Sequence, residues 1–227
     1  MKKFLSLLLV LLLMLPAAAL ADTKIAVNGS ATVQAEPDMV TLSLGVEETK
    51  DDVAAAQALV NEKIAAVVEA LKNAGIDEKD IQTGYYSIYN SYNYDDPDNN
   101  MQYVASCSLN VIVRDLSKAG EMIDVAVAAG ANQVGGVTFG VSDLTALQDK
   151  ALELAVADGI RRAGVMAKAA GVTLPALPES VVENSSYYDG YKASAYTMDA
   201  AAGAPTSLMG GMVNVTSSVT VTYEVND

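Results

Sequence analysis

Apolar and polar residues alternate strictly near both ends of this chain. Ile25, Val27, Ala31 and Val33 fall on one side and Asn28, Ser30, Thr32 and Gln34 on the other, the period of a half-buried strand. Glu36-Pro37-Asp38 turns the chain. Val40, Leu42, Leu44 and Val46 then alternate with Thr41, Ser43 and Glu47 in a second strand. The period next changes to that of a helix: Val53, Ala56, Val60, Ile64, Val67, Val68 and Leu71 share one face, behind a cap at Asp51 or Asp52 and ahead of a left-handed stop at Gly75. Residues 81–92 and 103–114 read as a third and fourth strand. The Asn- and Asp-rich segment 93–100 between them reads as a hairpin loop.

Asp115 can cap a short helix over 116–129, ended by Gly130. A fifth strand over 132–141 contains Gly135-Gly136, the mark of a bulge or a close backbone approach. Asp143 opens the longest helix, which runs to about Ala170 and stops at Gly171. Its alanines at 151, 155, 163, 167 and 170 offer a small-residue face that can sit close to a sheet. Gly159 and Gly164 cost this helix roughly 1 kcal/mol each relative to alanine, and both are read as packing positions. Residues 180–187 form a sixth strand. Residues 188–211, rich in Ala, Gly, Ser and Tyr and without periodicity, read as a loop. In the last segment, Val219, Val221, Tyr223 and Val225 alternate with Thr220, Thr222 and Glu224, a strand expected to pair within the main sheet. The fold class is α+β: a largely antiparallel mixed sheet with about three helices packed on it.

Ahead of these elements, residues 1–21 combine Lys2 and Lys3, an apolar run over 4–15, Pro16 and the small-x-small ending Ala19-Leu20-Ala21. This is the pattern of a secretory signal peptide cut before Asp22. The run is too short for the ~20 residues of a spanning helix, so no integral membrane segment is expected after cleavage. The domain is taken as 22–227, and the protein is placed outside the cytoplasm, in the periplasm or secreted.

The net charge is −14, and loss of the two leader lysines makes it −16. Nucleic acid and anionic lipid are therefore disfavoured as partners. Histidine is absent, which removes His-based nucleophilic systems and His-ligated metal sites. The single cysteine, Cys107, cannot form an intrachain disulfide. It shares the apolar parity of Ala105, Leu109, Val111 and Val113, as a small buried hydrophobe does. Asp96, Asp98 and Asn100 begin like a calcium loop, but Met101 and Cys107 stand where Gly and Glu are required. No catalytic residue, metal ligand or cofactor is assigned, and an enzyme is not expected. Arg161-Arg162 reads as a solvated or ion-paired helix face.

The tyrosines are the remaining feature. Tyr85, Tyr86, Tyr89, Tyr92 and Tyr94 form one cluster and Tyr187, Tyr188, Tyr191 and Tyr196 another, each beside an expected loop. A large ring with a polar tip suits an interface. Both clusters are read as oligomer or ligand contacts.

Several strings in order resemble the SIMPL-domain family of exported bacterial proteins, which includes the periplasmic immunogenic and oxidative-stress-defence proteins. They are Val27-Asn28-Gly29-Ser30-Ala31 leading to Pro37-Asp38, and Leu71-Lys72-Asn73-Ala74-Gly75-Ile76 followed by Asp80-Ile81-Gln82-Thr83. Residues 111–116 continue the series, then Ala129-Gly130-Ala131 with Gly135-Gly136-Val137-Thr138-Phe139. The Ala-rich helix ending at Gly171-Val172 closes it. The resemblance implies an extracytoplasmic α+β protein, ring- or channel-like homo-oligomers and a role in envelope, chiefly oxidative, stress. It carries no catalytic residues. The Tyr- and Asn-rich hairpin and the Ala-Gly loop depart from the family pattern. The chain is thus expected to be a non-enzymatic envelope protein that binds itself. The alternative is an extracytoplasmic binding module for a glycan, a peptide or a cation, working through its Tyr-rich loops.

Overall fold

A computed structural model of the chain describes residues 23–92, 101–189, 192–193 and 206–225. The expected leader, the hairpin loop at 93–100 and most of the Ala-Gly loop, with Tyr94, Tyr191 and Tyr196, lie outside the described residues. The strands are β1 (Thr23–Ala35), β2 (Met39–Lys50), β3 (Ile81–Tyr92), β4 (Met101–Val113), β5 (Gln133–Gly140), β6 (Ser180–Asp189), β7 (Lys192–Ala193) and β8 (Val213–Val225). The helices are α1 (Val53–Asn73), α2 (Ala119–Ala128) and α3 (Leu144–Ala170). This is the α+β class expected, with the strands divided between a five-stranded sheet, order β3-β4-β2-β5-β7, and a three-stranded sheet, order β1-β8-β6. The C-terminal strand is a correction: β8 lies at the centre of the smaller sheet, not in the larger one. Its perfect burial alternation marks a strand covered on one face, and any sheet with one covered face imposes that pattern.

The described residues divide between two compact units: those within 31–153 and 185–217, and those within 23–30, 154–184 and 218–225. In the first, β2 pairs antiparallel with β4 and β5, and β4 pairs antiparallel with β3. Val40, Leu42 and Leu44 of β2, Leu109, Val111 and Val113 of β4 and Val137 and Phe139 of β5 form one apolar face. Val67 and Leu71 of α1 and Met122, Ile123 and Ala126 of α2 cover it. Asp52 caps α1 by accepting from Ala55 N at 2.8 Å, and Gly75 closes it at φ 99°. Val53, expected on the buried face of α1, is exposed because it occupies the first helical position. Asp115 caps a single 3-10 turn, Leu116–Lys118, rather than α2 itself.

Register around β5 shifts between Ser43 and Leu44, so that Gly135 is the extra residue of a bulge. Beyond the bulge the Asn132 side chain replaces a peptide unit. Its Oδ1 accepts from Glu47 N at 2.8 Å and its Nδ2 donates to Glu47 O at 2.7 Å. Segment 192–193, expected in a loop, is a strand pairing with Val137 and Thr138 of β5. The strand absorbs part of the aperiodic stretch because an edge ladder needs main-chain groups rather than a side-chain pattern.

In the second unit, α3 lies close to β1 and β8. A Cβ on Gly29 would fall 2.2 Å from Ala155 O, and one on Gly159 would fall 2.6 Å from Val221 Cγ2. Gly159 is the packing position expected. Gly164 has nothing within 4 Å, so it is a tolerated helix defect. Ala155, Ala163 and Ala167 are buried, whereas Ala170, beyond the last covered turn, is exposed. Asp158 accepts from Ser30 N at 3.2 Å and from Arg161 at 2.6 Å, and Arg162 donates to Asn28 O at 2.6 Å. Arg161 draws the Asp158 carboxyl below its usual range. The basic pair is an ion-paired helix face.

Candidate functional site

β3 is an edge strand of the five-stranded sheet, and its alternation sorts the first tyrosine cluster. A second bulge, between Thr83 and Tyr85, sets the register Tyr85↔Ser108, Tyr86↔Cys107, Ser87↔Ser106, Ile88↔Ala105 and Tyr89↔Val104. Even-numbered positions share the face of α1: Tyr86 Oη donates to Asn61 Oδ1 at 3.3 Å, and Ile88 packs on the cluster of Val46, Ala56, Val60, Ala105 and Cys107. Tyr85, Ser87 and Tyr89 project to the opposite face. The described tyrosines of the cluster therefore face two ways: Tyr85 and Tyr89 on one side, Tyr86 and Tyr92 on the other. All four rings are exposed, between 41% and 55%. Of the second cluster, Tyr187 is exposed and Tyr188 half-buried, its hydroxyl beside Gly140.

The Tyr85–Tyr89 face carries small polar residues. Ser108 and Gly45 follow Tyr85 across the sheet, Ser106 and Glu47 follow Ser87, and Asn110 stands opposite Gln82 and Ser43. Gly84, the extra residue of the bulge, is the position over which the Asn110 amide rests; a Cβ there would fall 2.9 Å from Asn110 Nδ2. Gly45 is buried between its neighbours: a Cβ there would fall 2.9 Å from Cys107 O and 3.4 Å from Gln133 Cβ. Ser87, between Tyr85 and Tyr89 along the strand, keeps its Oγ buried with no hydrogen-bond partner among the described residues. Sequence reading missed this face because it searched for reactive groups. The polar half of each strand's alternation was its signal.

Cys107 faces the α1 side, 4% exposed, and burial pushes its thiol above the ordinary range. That is the opposite of an activated thiolate. Asp80 and Arg114 were not singled out from sequence. Arg114 Nε and an Nη donate to the two carboxylate oxygens of Asp80 at 3.1 and 2.7 Å. Asp80 is 5% exposed, and the Arg114 hydrogen bonds hold its carboxyl below the usual range. The pair borders a cleft of about 220 Å³ with Asp77, Asp115 and Lys118. Arg114 spends its fork on a neighbouring carboxylate, so the pair is a clasp between β4 and the turn Glu78–Asp80. Among the described residues no cluster of acidic or thiol side chains is arranged to hold a metal, and no helix is long and apolar enough to cross a membrane.

The fold and this face define an α+β protein built on antiparallel sheets, one of which presents a tyrosine-edged polar surface. The SIMPL family model, described as a protein of unknown function (DUF541), matches residues 25–223, and the chain belongs to that family. It is similar to the 26 kDa periplasmic immunogenic protein of Brucella melitensis biotype 1, 37% identical over 157 residues, 66% of this chain and 63% of that protein. It is also similar to the uncharacterized protein YggE of Edwardsiella ictaluri, 33% identical over 65% of this chain and 62% of the relative. YggE of Escherichia coli K12 is 31% identical, over 63% of this chain and 58% of the relative. The matched stretch thus spans less than two thirds of each of these relatives.

Proposed function

We propose that the chain is a non-enzymatic envelope protein that works outside the cytoplasm, in the periplasm or secreted, and assembles with copies of itself through β3. One observation carries this reading. β3 is a 12-residue edge strand that contains no charged residue and no proline and presents four exposed tyrosines. Natural sheets blunt their edges with charges, prolines or short strands. A chain of net charge −14 that keeps this one edge neutral has a surface suited to pairing. Antiparallel pairing of β3 with its copy about a two-fold axis would continue the sheet between subunits.

The apolar leader and the periplasmic naming of the Brucella relative support the location. The lack of histidine and the inert setting of Cys107 support a non-catalytic role. A part in envelope or oxidative-stress defence, which the family resemblance implies, then belongs to the assembly rather than to thiol chemistry. Light scattering on the exported chain and on its Asn90→Glu/Tyr92→Glu variant tests the reading. The expected result is an oligomer that the two added carboxylates dissociate. A strict monomer across concentrations, or an oligomer indifferent to both charges, overturns it.

A further inference from the structure

We propose that the Tyr85–Tyr89 face of the five-stranded sheet binds a neutral oligosaccharide, laid along the strands with sugar rings stacked on the two tyrosines. The placement of the groups carries this. Tyr85 and Tyr89 stand on the same face, one pleat on either side of Ser87. At about 3.4 Å per residue they are ~14 Å apart, long enough for a short run of sugars. Beside them Ser106, Ser108, Ser43, Asn110 and Gln133 offer hydroxyls and amides that both donate and accept. Sugar hydroxyls need that mixture. Ser87 Oγ, on the residue midway between the two tyrosines, is buried and has no partner among the described residues. A ligand hydroxyl admitted between the two tyrosines supplies one.

Charge selects among ligands. The β2 and β4 positions on this face are Met39, Thr41, Ser43, Gly45, Glu47 and Thr49, and Gln102, Val104, Ser106, Ser108, Asn110 and Ile112. None is basic, and Glu47 is the one carboxylate. Along β2 and β4 a sulfated or phosphorylated chain would meet no cation and one like charge, and Lys192 stands in register with Thr138 only at the opposite edge of the sheet. A metal ion would find one carboxylate where several are needed. An extended peptide would use the main-chain groups of the β3 edge rather than the face. A neutral polyhydroxylated chain is the class left, and tyrosine rings supply the apolar stacking surface that the axial C–H faces of sugars require.

This inference does not need the β3 edge to self-associate, and the experiment separates the two. The exported chain is titrated by calorimetry with N-acetylglucosamine tetramer and with cellotetraose as neutral probes, and with a sulfated tetrasaccharide as the anionic one. Light scattering is run on every sample. Binding of a neutral probe is expected, about tenfold or more weaker in Tyr85→Ala/Tyr89→Ala and within a few-fold of wild type in Tyr85→Phe/Tyr89→Phe, which keeps the rings. The Asn90→Glu/Tyr92→Glu variant, altered only off this face, should bind as wild type whatever its oligomeric state. No binding of either neutral probe overturns the proposal. So does equal binding by the double alanine variant with its circular dichroism unchanged, or a preference for the sulfated chain.

Discussion

Two glycines of α3, five residues apart, should respond to the same substitution with opposite signs. Gly164→Ala adds a methyl where nothing lies within 4 Å. Its effect is helix propensity alone, about 1 kcal/mol of stabilisation. Gly159→Ala gains the same propensity, but its Cβ would sit 2.6 Å from Val221 Cγ2 and 3.4 Å from Val221 Cβ. Val221 is fully buried and β-branched, so its χ1 has little freedom to yield. Overpacking of this kind costs ~1–3 kcal/mol. The net for Gly159→Ala is therefore between about zero and 2 kcal/mol of destabilisation, and the two variants should differ by ~1–3 kcal/mol. At ~2–4 °C per kcal/mol for a chain of this size, the gap in melting temperature is several degrees. Urea denaturation followed by far-ultraviolet circular dichroism measures it, with the slopes compared to ensure that the denatured state is unchanged. Equal shifts in the same direction would refute the reasoning that close contact with β8, rather than intrinsic propensity, retains glycine at 159.

The Asp80–Arg114 clasp predicts a pH dependence. The folded carboxyl titrates below its ordinary value, so the stability it contributes is full above that ordinary value and is lost as pH falls through the depressed one. Arg114→Met should accordingly be less stable than wild type at pH 7, with the difference shrinking in acid; a gap that persists in the most acidic samples would count against the pair. Cys107 in the native protein should react with a thiol reagent at pH 8 far more slowly than after denaturation, as its burial and raised pKa require; rapid stoichiometric labelling of the folded chain would contradict this. Asp52→Ala removes the cap that accepts from Ala55 N and should cost ~1 kcal/mol in denaturant melts. Asn132→Ala breaks both bonds to the Glu47 main chain. It should speed amide exchange at Glu47 in particular, and unchanged protection there would disprove the peptide-mimic role.

Self-association and sugar binding make different demands on β3. Pairing uses the main chain of the edge, whereas stacking uses only the odd-numbered rings. The strand can serve both because successive side chains leave a sheet on opposite faces. In an edge-to-edge dimer the two Tyr85–Tyr89 faces would lie in one continuous sheet, and a longer glycan would meet four rings instead of two.

The sequence by itself determined what depends on near neighbours. The period of two over β1, β2 and β8 and the period near 3.6 in α1 are local patterns. The caps at Asp52 and Asp143 are contacts over three residues, and the positive φ at Gly75, Gly130 and Gly171 is a property of the residue. Buried Cys107 followed from parity with its strand mates. Tertiary structure decided the rest. The regular alternation of β8 says that one face is covered but not which sheet it joins, and that pairing depends on residues far away in the chain. Asp80 and Arg114 are 34 residues apart, with no periodicity to link them. The split of the tyrosines follows from alternation along β3, but which pair faces α1 was set by a single extra residue, Gly84, in the ladder between β3 and β4. A shift of one residue moves every following side chain to the other face, so the bulge sends Tyr86 and Tyr92 to the α1 side and Tyr85 and Tyr89 away from it. Which of those surfaces is polar, and therefore what it can bind, is fixed only when β4 and β2 are laid beside it.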